Sequence, residues 1–327
     1  MKNKTWSRRR FLQQTSAGIA AAGMAARGGW AANPQATDPA QAPPVAPSAG
    51  HGAAKAAEVN SLKSYNIWDA HTHLGGFAGD TIEQKVAACL KFADLMGVER
   101  MLVLNSSSFG HDPDGAKLRA GNDVTIKAVK LAPDRLFGCA FMYPADLQVC
   151  LDEIYRCIRD GPLVGLKFEF DTPRLANSGE LDPIFERAAE VHAVIMHHTF
   201  IITGGNKVGE SSPMELVEVA KRFPTVQTFC GHTGGTWEMG IRPLRGVKNI
   251  YADLSGSDPI SGFAEMAVRE LGADHVLYGS DIAGRSFASQ ISKVLGANIS
   301  DADRRLVLGG NLRRIMEPIM KARGMKI

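Results

Sequence analysis

Asp69-Ala70-His71-Thr72-His73 ends an apolar run that begins at Ile67. Three later stretches repeat the theme: Met196-His197-His198-Thr199, Cys230-Gly231-His232-Thr233-Gly234-Gly235 and Tyr278-Gly279-Ser280-Asp281. Each follows a strand-like run and offers a metal-competent side chain at its carboxyl end. Strands that deliver functional groups at one common end mark a (β/α)8 barrel with a site on its top face. Histidines beside a carboxylate suit zinc or a similar divalent ion. The expected fold is α/β, a TIM barrel with a metal site at the C-terminal face of the strands.

The rest of the chain supplies the strands such a barrel needs. Eight β-rich runs are read at Ile67–His73, Met101–Asn105, Leu136–Phe141, Val164–Phe168, Val194–His198, Val226–His232, Ile250–Leu254 and Val276–Asp281. Helical periodicity fills the gaps, at Thr81–Met96, Asp123–Ala132, Leu147–Arg159, Asp182–Val191, Pro213–Arg222 and Ile260–Leu271. Strand alternating with helix argues for a parallel sheet. An open doubly wound sheet would carry a G-x-G-x-x-G phosphate turn after its first strand, and none is present.

Side chains two apart on a strand share a face, so His71 and His73 can both enter the barrel mouth. His197 and His198 face opposite ways. Continuation into Thr199 and the polar loop at Thr203-Gly204-Gly205-Asn206 favours His198 as the inward one. His232 is a third imidazole, in a glycine-rich turn that lets a ligand approach the backbone. Asp281 is a metal ligand and proton acceptor, against the plainer reading of a helix N-cap. Lys167 and Arg285 are candidates to bind a substrate carboxylate. Glu169, Glu210, Arg242 and Arg245 are lesser candidates, expected as solvated loop charges. His192 and His275 precede strands and read as structural. His51 falls in a linker, and His111 in a loop without an evident partner.

The N-terminus reads as an address. Ser7-Arg8-Arg9-Arg10-Phe11-Leu12 resembles a twin-arginine export signal, and the weakly apolar stretch from Ala17 to Ala26 is too short to span a bilayer. Small residues around Ala31 suit signal-peptidase cleavage there, giving a leader over 1–31 and a periplasmic or otherwise exported product. Residues 32–58, rich in Ala and Pro, read as a disordered linker. One domain over 59–327 then remains, close to the roughly 250 residues of one barrel. The chain has 37 basic and 34 acidic residues. Six of the basic ones lie in the leader, which has no acidic residue, so the remainder carries a net charge of −3. That gives no electrostatic case for a nucleic-acid partner. Five scattered cysteines without a C-x-x-C pair argue against a disulfide scaffold.

These motifs, with Gly309-Gly310-Asn311-Leu312-Arg313-Arg314, resemble the amidohydrolase superfamily, specifically its amidohydrolase-related (amidohydrolase 2) branch. They are spread over residues 66–314. The resemblance implies that His71, His73, His198 and Asp281 hold one divalent metal, zinc first, with manganese or cobalt as alternatives. It implies that His232 is the catalytic imidazole. The first expectation is hydrolysis of an amide, ester or lactone in a small, carboxylated substrate. Asp281 would take the proton of the attacking water, and His232 would stabilise the oxyanion. The alternative is a metal-dependent decarboxylase or hydratase of an aromatic or unsaturated carboxylic acid. A non-catalytic binding protein ranks third, because it predicts loss of a site group and none is missing. The expected partners are the small substrate and the twin-arginine machinery, with no stable membrane insertion and an oligomer allowed.

Overall fold

A computed structural model describes residues 61–104, 113–170, 172–256 and 260–326. The proposed leader and linker, His51 and His111 lie outside the described residues. Eight strands occur in chain order: β1 Ile67–Thr72, β2 Val98–Val103, β3 Leu136–Phe141, β4 Gly165–Phe168, β5 Val194–His198, β6 Thr228–Gly231, β7 Ile250–Asp253 and β8 Val276–Leu277. Each pairs in parallel with the next. The barrel closes through backbone bonds between the segment after β8 and β1. Ala70 N donates to Tyr278 O at 3.0 Å, and Asp281 N donates to His71 O at 2.8 Å. The architecture is the expected (β/α)8 barrel.

Several boundaries differ from the sequence reading. The second strand starts at Val98, not Met101. The eighth is two residues long, because the chain leaves extended geometry before Asp281, whose φ is 53°. The expected helix over 147–159 is α-helical to Ile154 and continues as a wider π turn over Tyr155–Arg159. The helix expected from Asp123 begins at Gly115, capped by Asp114. The helix Pro213–Arg222 has its proline in the first turn, where no amide hydrogen is needed, and a Ser212/Glu215 capping box. Among the described residues no helix is long and apolar enough to cross a membrane.

Alternation divides each strand between two environments. Leu102, Phe137, Val194, Met196, Phe229, Tyr251 and Leu277 pack together in the barrel interior. Met101, Val103 and Val276 belong to the layer between strands and helices. The bottom of the interior is closed by the C-terminal helix Asn311–Ala322, which inserts Leu312, Ile315, Met316 and Met320 into the same cluster. Its Arg313 pairs with Glu99 at 2.7 Å, latching the helix to β2. The apolar floor leaves the top of the barrel for polar groups.

Candidate metal centre

The first motif depends on a bulge. Asp69 pairs with Met101 and Thr72 with Val103, so three steps along β1 face two along β2. Such an insertion shifts the alternation and re-aims side chains. Trp68 and Ala70 therefore fill the barrel interior while His71 still enters the mouth beyond them. His71 and His73 come together, with Nε2 atoms 3.0 Å apart. Asp281 Oδ1 lies 3.8 Å from His71 Nε2 and 3.5 Å from His73 Nε2. His232 joins from the end of β6: His71, His232 and Asp281 each offer a ligand atom, all within 4.8 Å of one another.

The donor set fits a divalent cation. His71 Nδ1 is 2.7 Å from Asp253 Oδ2, so its hydrogen faces that carboxylate and the Nε2 lone pair faces His73 and Asp281. Burial holds the His71 ring well below its ordinary pKa, with the nearby Lys167 charge adding to the effect. Burial likewise lowers His73 to about 4 and His232 to about 3. The imidazoles are thus neutral near pH 7, the form that ligates metal. Burial pushes the Asp281 carboxyl up to about 6, opposed by Lys167.

Two segments of the site adopt left-handed backbone at non-glycine residues. His232 and Thr233 have φ of 60° and 47°, and Asp281 has 53°. Each such residue costs on the order of 1–3 kcal/mol and persists where its surroundings over-determine it. Here Thr233 Oγ1 donates to Asp253 O at 2.7 Å, and Asp281 N to His71 O.

His198 faces inward, and His197 faces outward, stacked on Phe168 with centroids 5.1 Å apart. His198 stands beside the imidazole–carboxylate cluster, its ring centroid 4.8 Å from that of His232. Its Nε2 lies 3.4 Å from Glu210 Oε1 and its Nδ1 3.8 Å from Glu169 Oε2. Glu169 and Glu210 are buried, correcting the expectation of solvated loop charges. Lys167 projects inward from β4, is 1% exposed, and pairs with Glu169 Oε1 at 3.4 Å. It lies beneath the mouth, not on its rim. Arg285 lines the mouth, with Nε on Gly256 O at 2.8 Å and Nη1 on Gly284 O at 3.0 Å. Arg245 pairs with Glu270 on the exterior, and His275 stacks on Tyr251 beside Lys248 O.

A cavity of 510 Å³ opens above the cluster. His73, His198, His232 and Asp281 line it on the polar side, and Phe170 and Phe200 form apolar walls. Sequence reasoning missed Asp253, Ser255 and the wall residue Phe170. Asp253 closes an apolar run as Asp281 does, and that position was the available signal.

The profile of the amidohydrolase family, Amidohydro_2, matches residues 68–316. The chain belongs to the amidohydrolase family. No curated protein matches its sequence. Among solved structures, this amidohydrolase resembles a 2,6-dihydroxybenzoate decarboxylase from Rhizobium at 17% identity and a TM-score of 0.63, over 77% of this chain and 99% of that one. It resembles a dihydroxybenzoic acid decarboxylase from Polaromonas sp., holding manganese and 2-nitroresorcinol, at 17% identity and a TM-score of 0.62, over 77% and 97%. It also resembles 4-oxalomesaconate hydratase from Rhodopseudomonas palustris at 17% identity and a TM-score of 0.62, over 79% and 98%. At these identities the likeness establishes the fold alone.

Proposed function

We propose that this amidohydrolase is a metal-dependent lyase, a decarboxylase or hydratase, of a small aromatic or unsaturated carboxylic acid. The observation that carries this is the cavity itself. Two phenyl walls, Phe170 and Phe200, and the Arg285 guanidinium surround the imidazole–carboxylate cluster. A flat, anionic molecule satisfies all three features. The named activities of the structural relatives point the same way.

His71, His73 and Asp281 would hold the cation, with His232 and His198 adjoining it. When bound, a divalent ion supplies positive charge for substrate oxygens and lowers the pKa of a coordinated water. Arg285 uses two donors on Gly256 O and Gly284 O, which leaves others for a carboxylate. Phe170 and Phe200 orient the ring and exclude water. In decarboxylation the carbon–carbon bond to the carboxylate breaks, its electron pair stays on the ring carbon, and carbon dioxide leaves. A proton then reaches that carbon. Asp281 lies at the cavity and is the carboxyl group nearest the cluster's imidazoles there, so it is the assigned donor.

Hydrolysis is the second reading, favoured by the 20% exposure of the Asp281 side chain, which leaves a water room beside it. There Asp281 would accept a proton from water and return it to the leaving group.

The deciding experiment incubates the metal-reconstituted protein with dihydroxybenzoates and, separately, with lactones and amides. Carbon dioxide release that a chelator abolishes is the expected result. Chelator-sensitive ring opening of a lactone without carbon dioxide would reverse the order of the two readings. No metal uptake and no turnover would remove both.

We also propose export by the twin-arginine route. The processed protein should begin at Ala32, as read by N-terminal sequencing of the periplasmic fraction. An unprocessed cytoplasmic product would overturn this.

A further inference from the structure

Asp253 closes β7, and Ser255 follows two residues later. Both are fully buried. Asp253 Oδ1 accepts the Ser255 amide at 3.0 Å, and Oδ2 accepts the Ser255 hydroxyl. Oδ2 also faces His71 Nδ1 at 2.7 Å. The Ser255 hydroxyl is 3.0 Å from His71 Nδ1 and 3.1 Å from His232 Nδ1. His232 Nδ1 is in turn 3.3 Å from Ser255 O. A carbonyl only accepts, so that nitrogen must carry the hydrogen.

We infer that Asp253 and Ser255 form one hydrogen-bonded strut that fixes the tautomer and ring orientation of His71 and His232 together. Both imidazoles donate from Nδ1 into the strut, and Nε2 is the lone pair left to each. The opposite tautomer of His71 would set a nitrogen lone pair against a carboxylate oxygen at 2.7 Å. Asp253 and Ser255 are positioning residues, since neither lines the cavity.

The space for the strut is built into the neighbouring glycines. His71 is on β1 and Asp253 on β7, so the contact crosses β8. It can do so because residue 279 has no side chain. A Cβ on Gly279 would lie 2.2 Å from Asp253 Oδ1 and 2.9 Å from His71 Cβ. A Cβ on Gly256 would lie 2.3 Å from His232 Nδ1. Two glycines are thus kept clear around the strut and the two imidazoles it holds.

The tautomers belong to the chain alone; the consequence for metal affinity rests on the metal-centre reading proposed above. The test uses full-length, chelator-treated protein labelled with 15N-histidine at neutral pH. Two-bond 1H–15N correlations give each ring's tautomer, with His71→Gln and His232→Gln identifying the signals. Both rings should be Nδ1–H in the parent. Ser255→Ala should shift the His232 signals or release that ring to a tautomer mixture, and Ser255→Thr should restore the parent pattern. Asp253→Asn should alter the His71 tautomer and weaken zinc binding about 10–100-fold against a competing chelator. If Asp253→Asn does not fold, judged by circular dichroism, the two Ser255 variants decide. An Nε2–H tautomer at either ring in the parent, or His232 signals left unchanged by Ser255→Ala, would overturn the strut. A parent with the expected tautomers but no zinc uptake would sink the metal-centre reading and leave the strut standing.

Discussion

Asp281→Asn is expected to fold like the parent and to lose turnover by about 10²–10⁴-fold, the usual worth of a positioned proton-transfer group. Asparagine has nearly the shape of aspartate. The backbone bond that anchors the residue, Asp281 N to His71 O at 2.8 Å, needs no side chain. Asparagine also tolerates left-handed geometry, here a φ of 53°. What the substitution removes is the negative charge near His71 Nε2 and His73 Nε2, and the capacity to take or give a proton. Both proposed reactions depend on these, so the loss should appear whichever substrate is accepted. Steady-state rates measured beside metal content and melting temperature separate the effects. A variant that melts like the parent, with turnover within about threefold, would refute the assigned role.

The barrel was legible because its signals are periodic. Eight apolar runs and six helical segments come from spacing alone, and β3 and β5 match the reading at both ends. The metal-competent side chains were legible because each ends such a run. The misreadings share one physical cause: environment is a tertiary property. Lys167 reads as a binder of a substrate carboxylate, but β4 turns it inward beneath the mouth, where it pairs with Glu169. Glu210 sits in a polar loop, yet that loop folds back until its carboxylate is 3.4 Å from His198 Nε2. The bulge in β1 is invisible in sequence, since it is a mismatch between two strands and not a property of one. The closing helix was there to read: Leu312, Ile315, Met316 and Met320 recur at helical spacing, but Gly309-Gly310 before them and Pro318 within them obscure the pattern.

Asp69→Ala is expected to destabilise the fold by about 2–6 kcal/mol, the cost of leaving two buried amide hydrogens without acceptors. Asp69 looks like part of the metal motif, but it faces away from the metal centre. Its Oδ1 accepts the amides of His71 at 2.9 Å and Ser280 at 2.8 Å. Its Oδ2 accepts Thr72 Oγ1 at 2.8 Å and the Ser280 hydroxyl. The first motif and the last are therefore tied to each other at the seam where the barrel closes. β8 is only two residues long, so the regular ladder contributes little there. Alanine would leave two buried amide hydrogens without acceptors, each costing about 1–3 kcal/mol. Burial pushes the Asp69 carboxyl from 3.8 up to about 7, opposed by the Ser280 and Thr72 hydroxyls and the two amides. A raised folded-state pKa means that the native protein binds the extra proton. This contribution to stability is therefore full below pH 3.8 and is lost as pH rises towards about 7. Urea unfolding at several pH values should show that slope in the parent and lose it in Asp69→Ala. Ser280→Ala, which keeps the amide and removes one hydroxyl, should cost less, about 1 kcal/mol. A melting curve for Asp69→Ala that overlays the parent would mean the seam is held by backbone bonds alone. The shared Asp69–Ser280 contact would then be incidental to closure.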